Sequence, residues 1–199
     1  MQNTRRVIAL LLIIALSIGI GIGIDAIWSA IERATYPQKE DYQGLIQKYS
    51  VEYNVPEYVI YAVIKVESDF DPQAESSAGA RGLMQMIRST FEWLTGEEHL
   101  NENLSFHDLY DPEVSIRYGT YYLRYLHRNF NHDWHLVFAA YNGGEGNVKK
   151  WLNNPEYTNE EGSLTYIPFD ETRSYVSRVE HAIKQYQKIY YEENEGVKS

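Results

Sequence analysis

The sequence contains no cysteine, which excludes disulfide bonds, thiolate nucleophiles, zinc–thiolate sites and a lipid anchor attached to cysteine. Basic residues are also scarce. The 18 Lys and Arg stand against 28 Asp and Glu, and the net charge of −10 would repel the phosphates of a nucleic acid. Otherwise the composition, with 44% hydrophobic and 14% aromatic residues, is that of a folded protein. We therefore expect one globular domain and no nucleic-acid partner.

The N-terminus carries the one long hydrophobic run. Residues 7–24 contain no charge, follow Arg5 and Arg6, and end at Asp25. At 1.5 Å per residue such a helix spans about 27 Å, close to the thickness of a bilayer core. Arginines before the run and none just after it predict a cytoplasmic start and an extracytoplasmic remainder. The alternative is a cleaved signal peptide, although the run is long for one and Ser29 and Ala30 make a poor cleavage site.

The rest of the chain repeats apolar residues at helical spacing, and no alternating pattern typical of a β-strand is comparably strong. The helical runs cover residues 42–49, 59–66, 83–94, 112–130, 134–141, 148–152 and 175–186. Asp111 followed by Pro112 is typical of a helix N-cap and first turn. We predict one transmembrane helix within residues 1–24, a tether over 25–41, a mostly α-helical domain over 42–190 with a buried central helix, and a solvated acidic tail over 191–199.

Glu67 lies at the end of a predicted helix, beside Val63 and Val66. Partial burial there would disfavour its carboxylate and raise its pKa, as a general acid working near neutral pH requires. Taken alone, a glutamate in this place is more often a solvated surface residue. Asp69 and Asp71, close to Pro72, more often cap a loop than supply a second catalytic carboxylate.

Four sequence blocks change this interpretation of Glu67. They are Glu67-Ser68, Gly82-Leu83-Met84-Gln85, Ala140-Tyr141-Asn142-Gly143 and Glu171-Thr172-Arg173-Ser174-Tyr175-Val176. In this order and at these separations, the blocks resemble the motifs of the soluble-lytic-transglycosylase-like family, which is related in fold to goose-type lysozyme. The match covers roughly residues 41–189. Each block alone is weak evidence, but the combination is highly specific.

The resemblance implies a lysozyme-like domain that cleaves peptidoglycan glycan strands between N-acetylmuramic acid and N-acetylglucosamine. It implies that Glu67 acts as acid and then as base, leaving 1,6-anhydromuramic ends without a metal or a cofactor. It also implies a set of substrate-binding and supporting residues: Ser76, Met84, Gln85, Tyr141, Asn142 and Tyr175. Within this set, Ser76 is expected to hydrogen-bond the acid, Gln85 to contact the sugar, and the Tyr175 hydroxyl to approach Glu67. Met84 is expected either to form an apolar wall or to pack in the core.

Other interpretations stay open at this point. A hydrolase of the goose-lysozyme type would use the same glutamate to activate water, and a non-catalytic module would only bind the cell wall. His132 and His135 have a spacing that could hold a metal ion, but a solvated loop is the favoured interpretation. The sequence departs from the family pattern at Glu145, where relatives often carry proline, and at Ile87-Arg88, where they often carry Met-Pro.

Overall fold

The computed structural model of the chain describes residue 24 and residues 26–191. Apart from Ile24, the predicted membrane anchor lies outside the described residues, and so do residues 192–199 of the predicted tail. Among the described residues, no helix is both long enough and apolar enough to cross a bilayer.

The described chain is helical, as predicted. Its α-helices are α1 (26–35), α2 (Glu40–Tyr53), α3 (Glu57–Ser68), α4 (Arg88–Leu94), α5 (Pro112–Asn129), α6 (Trp134–Gly143), α7 (Glu145–Leu152) and α8 (Asp170–Tyr186). A 3-10 helix, Phe106–Tyr110, precedes α5, and a π-helical turn, Gln187–Tyr191, follows α8. Outside these helices, β-type pairing in the described part of the chain is limited to three isolated bridges.

Local signals explain where several helices begin and end. Asp111 caps α5, because its carboxylate accepts hydrogen bonds from the backbone N–H groups of Glu113 and Val114. Helices α2 and α3 both end where a polar residue adopts left-handed backbone angles, at Asn54 and at Asp69. The cap at Asp69 fixes the direction in which the chain leaves Glu67.

The predicted helix over residues 83–94 begins late, at Arg88. Residues 74–87 instead form a compact loop, in which Gly82 has a φ of 75° and Gln85 a φ of 47°. An α-helix does not accommodate these left-handed conformations. The apolar spacing of Leu83, Met84 and Met86 arises because this loop folds over the core, where all three side chains are buried.

The central helix is α3, whose residues 59–64 are all fully or almost fully buried. It packs against α8, and α8 in turn packs against α6. A smaller apolar cluster joins α4, the 3-10 helix and one face of α5, with Phe91, Leu109 and Tyr118 at its centre. Because α3 is enclosed on its other sides, its C-terminal end, which carries Glu67, is left facing a cleft beside the smaller cluster.

The segment predicted to be a tether, residues 25–41, contacts the domain through its second half. The Tyr36 ring packs edge-on against Tyr186, and the Tyr186 hydroxyl donates a hydrogen bond to the Pro37 carbonyl at 3.1 Å. Glu32 pairs with Lys188 at 2.6 Å. These contacts attach α1 to the C-terminal end of α8, so the segment forms part of the folded unit.

Candidate active site

Glu67 lies in the last turn of α3, at the wall of a cleft with a volume of about 260 Å³. The loop after α3, the start of α4, the middle of α5, the end of α6 and the first turn of α8 line the rest of it. The residues that line the cleft include Ser76, Gln85, Met86, Ile87, Thr90, Tyr122, Tyr141, Asn142 and Glu171. Five separate segments of the chain therefore converge on one carboxyl group.

The pKa of Glu67 is raised to about 7, and burial is the main cause. The side chain keeps some exposure to the cleft, but most of its surroundings are protein atoms. The negative charge of Glu171 raises the pKa further, whereas the Tyr175 hydroxyl and the Arg178 guanidinium lower it. Near neutral pH, Glu67 is therefore close to evenly divided between its acid and base forms.

Two tyrosines stand against Glu67: Tyr175 is buried, and Tyr141 is half-buried at the cleft wall. The Tyr175 hydroxyl is inaccessible to solvent and faces the carboxyl without forming a hydrogen bond of ordinary geometry, while the Tyr141 hydroxyl donates to the Met84 carbonyl at 2.9 Å. Burial and the nearby Glu67 charge raise the pKa of both phenols well above the usual range. Both tyrosines thus stay neutral, and Tyr175 lies behind Glu67, outside the cleft lining.

The loop between α3 and α4 is held by hydrogen bonds that also orient Gln85. The Gln85 side-chain N–H groups donate to the carbonyls of Ala74 (3.0 Å) and Gly82 (2.9 Å), which leaves its amide oxygen as the free acceptor in the cleft. The Ser68 hydroxyl donates to the Leu83 carbonyl at 2.8 Å and ties this loop to α3. Ser68 therefore has a structural role.

Ser76 and Asn142 both line the cleft, in different ways. The Ser76 hydroxyl accepts a hydrogen bond from the Ala80 N–H at 3.0 Å. In the described structure it makes no hydrogen bond to Glu67, contrary to the expectation for it. Asn142 lies exposed near the end of α6, so its amide is open to a ligand.

The expectation of Met84 as an apolar wall of the cleft needs correction. Its side chain is fully buried in the core, and a Cβ at Gly119 of α5 would lie 2.3 Å from its sulfur. The close approach of α5 at this glycine encloses Met84 and keeps it from the cleft. Met86 and Ile87 supply the apolar surface instead.

The cleft residues that sequence reasoning missed include Glu171 and Tyr122. Glu171 begins the last motif block, and its place in the first turn of α8 puts a second carboxylate in the cleft. Tyr122 carries no signal that distinguishes it among 18 tyrosines. Asp69 and Asp71 do not line the cleft: Asp69 pairs with Lys65, and Asp71 accepts from the Gln73 backbone N–H.

The two histidines with metal-like spacing point to different partners. His132 contacts His127 at 3.1 Å between ring nitrogens, whereas His135 pairs with Glu180 at 2.8 Å. No group of three or more His, Asp or Glu side chains suited to a metal ion occurs among the residues that the structure describes.

Comparison with known proteins shows to which family this chain belongs. The model of the transglycosylase SLT domain family matches residues 44–163, which contain Glu67, the loop after it and the end of α6. The chain belongs to this family. The SLT match ends before Glu171 and Tyr175, but α8 brings both residues back to Glu67.

Named relatives carry the same SLT region within longer chains. The soluble lytic murein transglycosylase of Escherichia coli K12 is 34% identical over 139 residues, covering 69% of this chain and 22% of that protein. The membrane-bound lytic murein transglycosylase C of Serratia proteamaculans is 30% identical over 172 residues, covering 74% of this chain and 47% of that protein. The chain thus spans less than half of either relative.

Solved structures agree with the SLT fold. The 70 kDa soluble lytic transglycosylase of Escherichia coli aligns with a TM-score of 0.72 at 30% identity, over 80% of this chain and 26% of that one. Its complex with bulgecin A aligns with a TM-score of 0.73. An inactive Glu-to-Gln mutant of the lytic transglycosylase Slt from Pseudomonas aeruginosa aligns with a TM-score of 0.66 at 32% identity, over 77% of this chain and 25% of that one.

Proposed function

We propose that this protein is a lytic transglycosylase that cleaves the β-1,4 bond between N-acetylmuramic acid and N-acetylglucosamine in peptidoglycan. The observation that carries the proposal is Glu67, a carboxyl group with a pKa raised to about 7 at the wall of an SLT-type cleft. The names of the relatives support it, and so does the inactivity of a Glu-to-Gln mutant in one structural neighbour.

In the first step, protonated Glu67 donates its proton to the glycosidic oxygen while the bond to the anomeric carbon breaks. A carboxyl group with a pKa near 7 is protonated often enough to do this at neutral pH and acidic enough to give the proton up. Such positioned proton transfer contributes about 100- to 10,000-fold in rate.

In the second step, the Glu67 carboxylate takes a proton from the 6-hydroxyl of the same muramic acid. The 6-oxygen attacks the anomeric carbon and closes a 1,6-anhydro ring, which returns the proton to Glu67 and consumes no water. Because the nucleophile belongs to the same sugar, its effective concentration is very high and no second carboxylate is required. Glu171 then serves to keep the pKa of Glu67 high.

The remaining cleft residues hold the sugar. Gln85 offers a free amide oxygen to an acetamido N–H or a hydroxyl group, and Asn142 offers an exposed amide in the same cleft. Ser76 lines the same cleft. The neutral Tyr175 hydroxyl faces Glu67 and lowers its pKa, which favours the carboxylate required for the second step.

We further propose that residues 7–24 anchor the protein in the cell membrane and hold the domain outside it, next to its substrate. The uncharged run behind two arginines supports this placement. Protease added to intact spheroplasts is expected to degrade the domain, and protection of the domain would contradict this orientation.

The experiment that tests the reaction compares two peptidoglycan preparations that differ only in O-acetylation of the muramic 6-hydroxyl. An acetylated 6-oxygen cannot attack the anomeric carbon, so the full-length chain is expected to release soluble fragments only from the unacetylated material. A hydrolase needs no 6-hydroxyl, so equal release from both would replace the transglycosylase by the goose-lysozyme-type reaction. Absence of release from either would favour a non-catalytic wall-binding module.

Substitution of two neighbours of Glu67 should shift the pH profile of kcat/KM in opposite directions. The acid step requires protonated Glu67, so kcat/KM is expected to fall about tenfold per pH unit above about pH 7. Replacing Glu171 by Gln removes a charge that raises the Glu67 pKa, so the falling part of the kcat/KM profile moves to lower pH. Replacing Tyr175 by Phe removes a hydroxyl group that lowers the Glu67 pKa, so the falling part of the profile moves to higher pH.

The control for these shifts is Glu180→Gln, a change on α8 that also removes a carboxylate but lies outside the cleft, next to His135. The falling part of its pH profile should coincide with that of the unmodified protein. Profiles that move together for Glu171→Gln and Tyr175→Phe, or not at all, would contradict the assignment of the titrating group to Glu67.

A further inference from the structure

We propose that the cleft continues outward onto an aromatic platform, formed by Trp93, Tyr122 and Tyr125, which binds sugar residues of the glycan strand beyond those at Glu67. This inference deepens the proposed function and rests on it for the identity of the strand. The platform itself is defined by ring positions, ring exposure and the polar groups beside it.

The rings form an unbroken path that starts inside the cleft. Tyr141 and Tyr122 both line the cleft, with centroids 5.4 Å apart. Tyr122 and Tyr125, one turn apart on α5, lie nearly parallel at 6.3 Å. Trp93 meets Tyr125 edge-on at 4.8 Å and Tyr122 at 6.3 Å. A chain of neighbouring rings therefore leads from the bond-breaking centre to Trp93.

Trp93 also continues the cleft face of α4. Ile87 and Thr90 line the cleft, and residues three positions apart lie on the same side of a helix, so Trp93 extends that side by one more turn. Trp93 is 40% exposed and Ile87 45% exposed. The His99 ring packs against the Trp93 indole on one side, with centroids 4.0 Å apart, and the exposed part of the indole lies at the outer end of the groove.

Polar groups stand beside these rings on α7. Glu145 pairs with Lys149 at 2.6 Å and accepts a hydrogen bond from the Asn129 side chain at 3.3 Å. The charge of Glu145 helps to raise the pKa of Tyr122, and Tyr125 acts likewise on Lys149. This side of α7 therefore faces the platform.

Apolar rings combined with a few fixed polar groups match the surface of a pyranose, which has C–H faces and a rim of hydroxyl groups. An N-acetylated sugar lying on the exposed part of the Trp93 indole, beside Tyr125, would have Glu145, Lys149 and Asn129 near its hydroxyl and acetamido edge. The platform thus favours long glycan strands over short ones.

The test uses the full-length chain with Glu67→Gln, so that bound sugar is not consumed, and titrates it calorimetrically with the trimer and the hexamer of N-acetylglucosamine. Adding Trp93→Ala is expected to weaken hexamer binding by about threefold to tenfold and to leave trimer binding unchanged. Trp93→Phe should retain most of the hexamer affinity, because an aromatic face remains.

The matched control is Trp28→Ala on α1, an exposed tryptophan attached to the opposite end of α8 from Glu171. Equal weakening of trimer and hexamer by Trp93→Ala would mean a loss of α4 packing and would overturn the platform, as would unchanged binding of both. Peptidoglycan fragments that carry stem peptides serve as a second ligand. If Trp93→Ala weakens the binding of these fragments but not of the hexamer, the surface binds peptide, and the proposal of a sugar-binding platform is overturned. If hexamer binding depends on Trp93 but the unmodified protein releases nothing from peptidoglycan, the platform stands and the lytic function fails.

Discussion

Glu67→Gln is expected to lower kcat on peptidoglycan by about 100- to 10,000-fold. A glutamine amide neither donates a proton to the glycosidic oxygen nor accepts one from the 6-hydroxyl, so one substitution removes both steps. Gln has nearly the same shape as Glu, and the side chain lies at a cleft wall, so the fold should be retained. Release of soluble fragments, measured together with glycan binding, separates lost chemistry from lost substrate.

The matched controls for this loss are Asp69→Asn and Asp71→Asn. Both change a carboxylate within four residues of Glu67, but neither side chain lines the cleft. We expect kcat within about twofold of the unmodified protein, because these residues only support a helix end and a turn. Turnover retained by Glu67→Gln, or abolished by Asp71→Asn, would contradict a mechanism that relies on one glutamate.

The same substitution is expected to stabilise the protein. Burial raises the pKa of Glu67 from 4.5 to about 7. Above that pH, the ionised carboxyl group therefore destabilises the folded state. One pKa unit corresponds to about 1.4 kcal/mol, and some exposure to the cleft reduces the full effect. Glu67→Gln should therefore raise the free energy of unfolding by about 2 to 3 kcal/mol at about pH 8.

The dependence of this gain on pH follows from proton binding. Between the unfolded pKa of 4.5 and the folded pKa of about 7, the folded protein holds more protons at Glu67 than the unfolded chain does. Its stability relative to the Gln variant therefore falls as pH rises through that window and is constant above it. Denaturant unfolding at several pH values measures the difference. Glu160→Gln, at an exposed loop position, should show no such gain, and a pH-independent gain for Glu67→Gln would contradict the raised pKa.

Much of the fold follows from helical periodicity, which locates most of the helices because each must bury one apolar face. The exceptions have physical reasons. Periodicity over residues 83–94 does not reveal that Gly82 and Gln85 adopt left-handed angles, which delay α4 to Arg88. The segment before α2 lacks a long apolar pattern, and its attachment depends on contacts of Tyr36 and Glu32 with residues about 150 positions later.

The sequence predicts the site residues that belong to a motif. It does not predict the residues whose position depends only on packing. The motif blocks identify Glu67, Gln85, Tyr141 and Asn142, which the fold brings to one cleft. No pattern distinguishes Met84 from Met86, since the close approach of α5 at Gly119 determines which side chain is buried. Tyr122 and Trp93 likewise gain their significance from neighbours that are distant in the sequence.

The most direct test of the central claim is mass spectrometry of purified peptidoglycan digested by the full-length chain, with Glu67→Gln digested in parallel. Intramolecular attack by the 6-hydroxyl predicts muramic ends that are lighter by one water than reducing ends, and it predicts them only for the unmodified protein. Reducing ends from the unmodified protein, or anhydro ends from Glu67→Gln, would contradict the account.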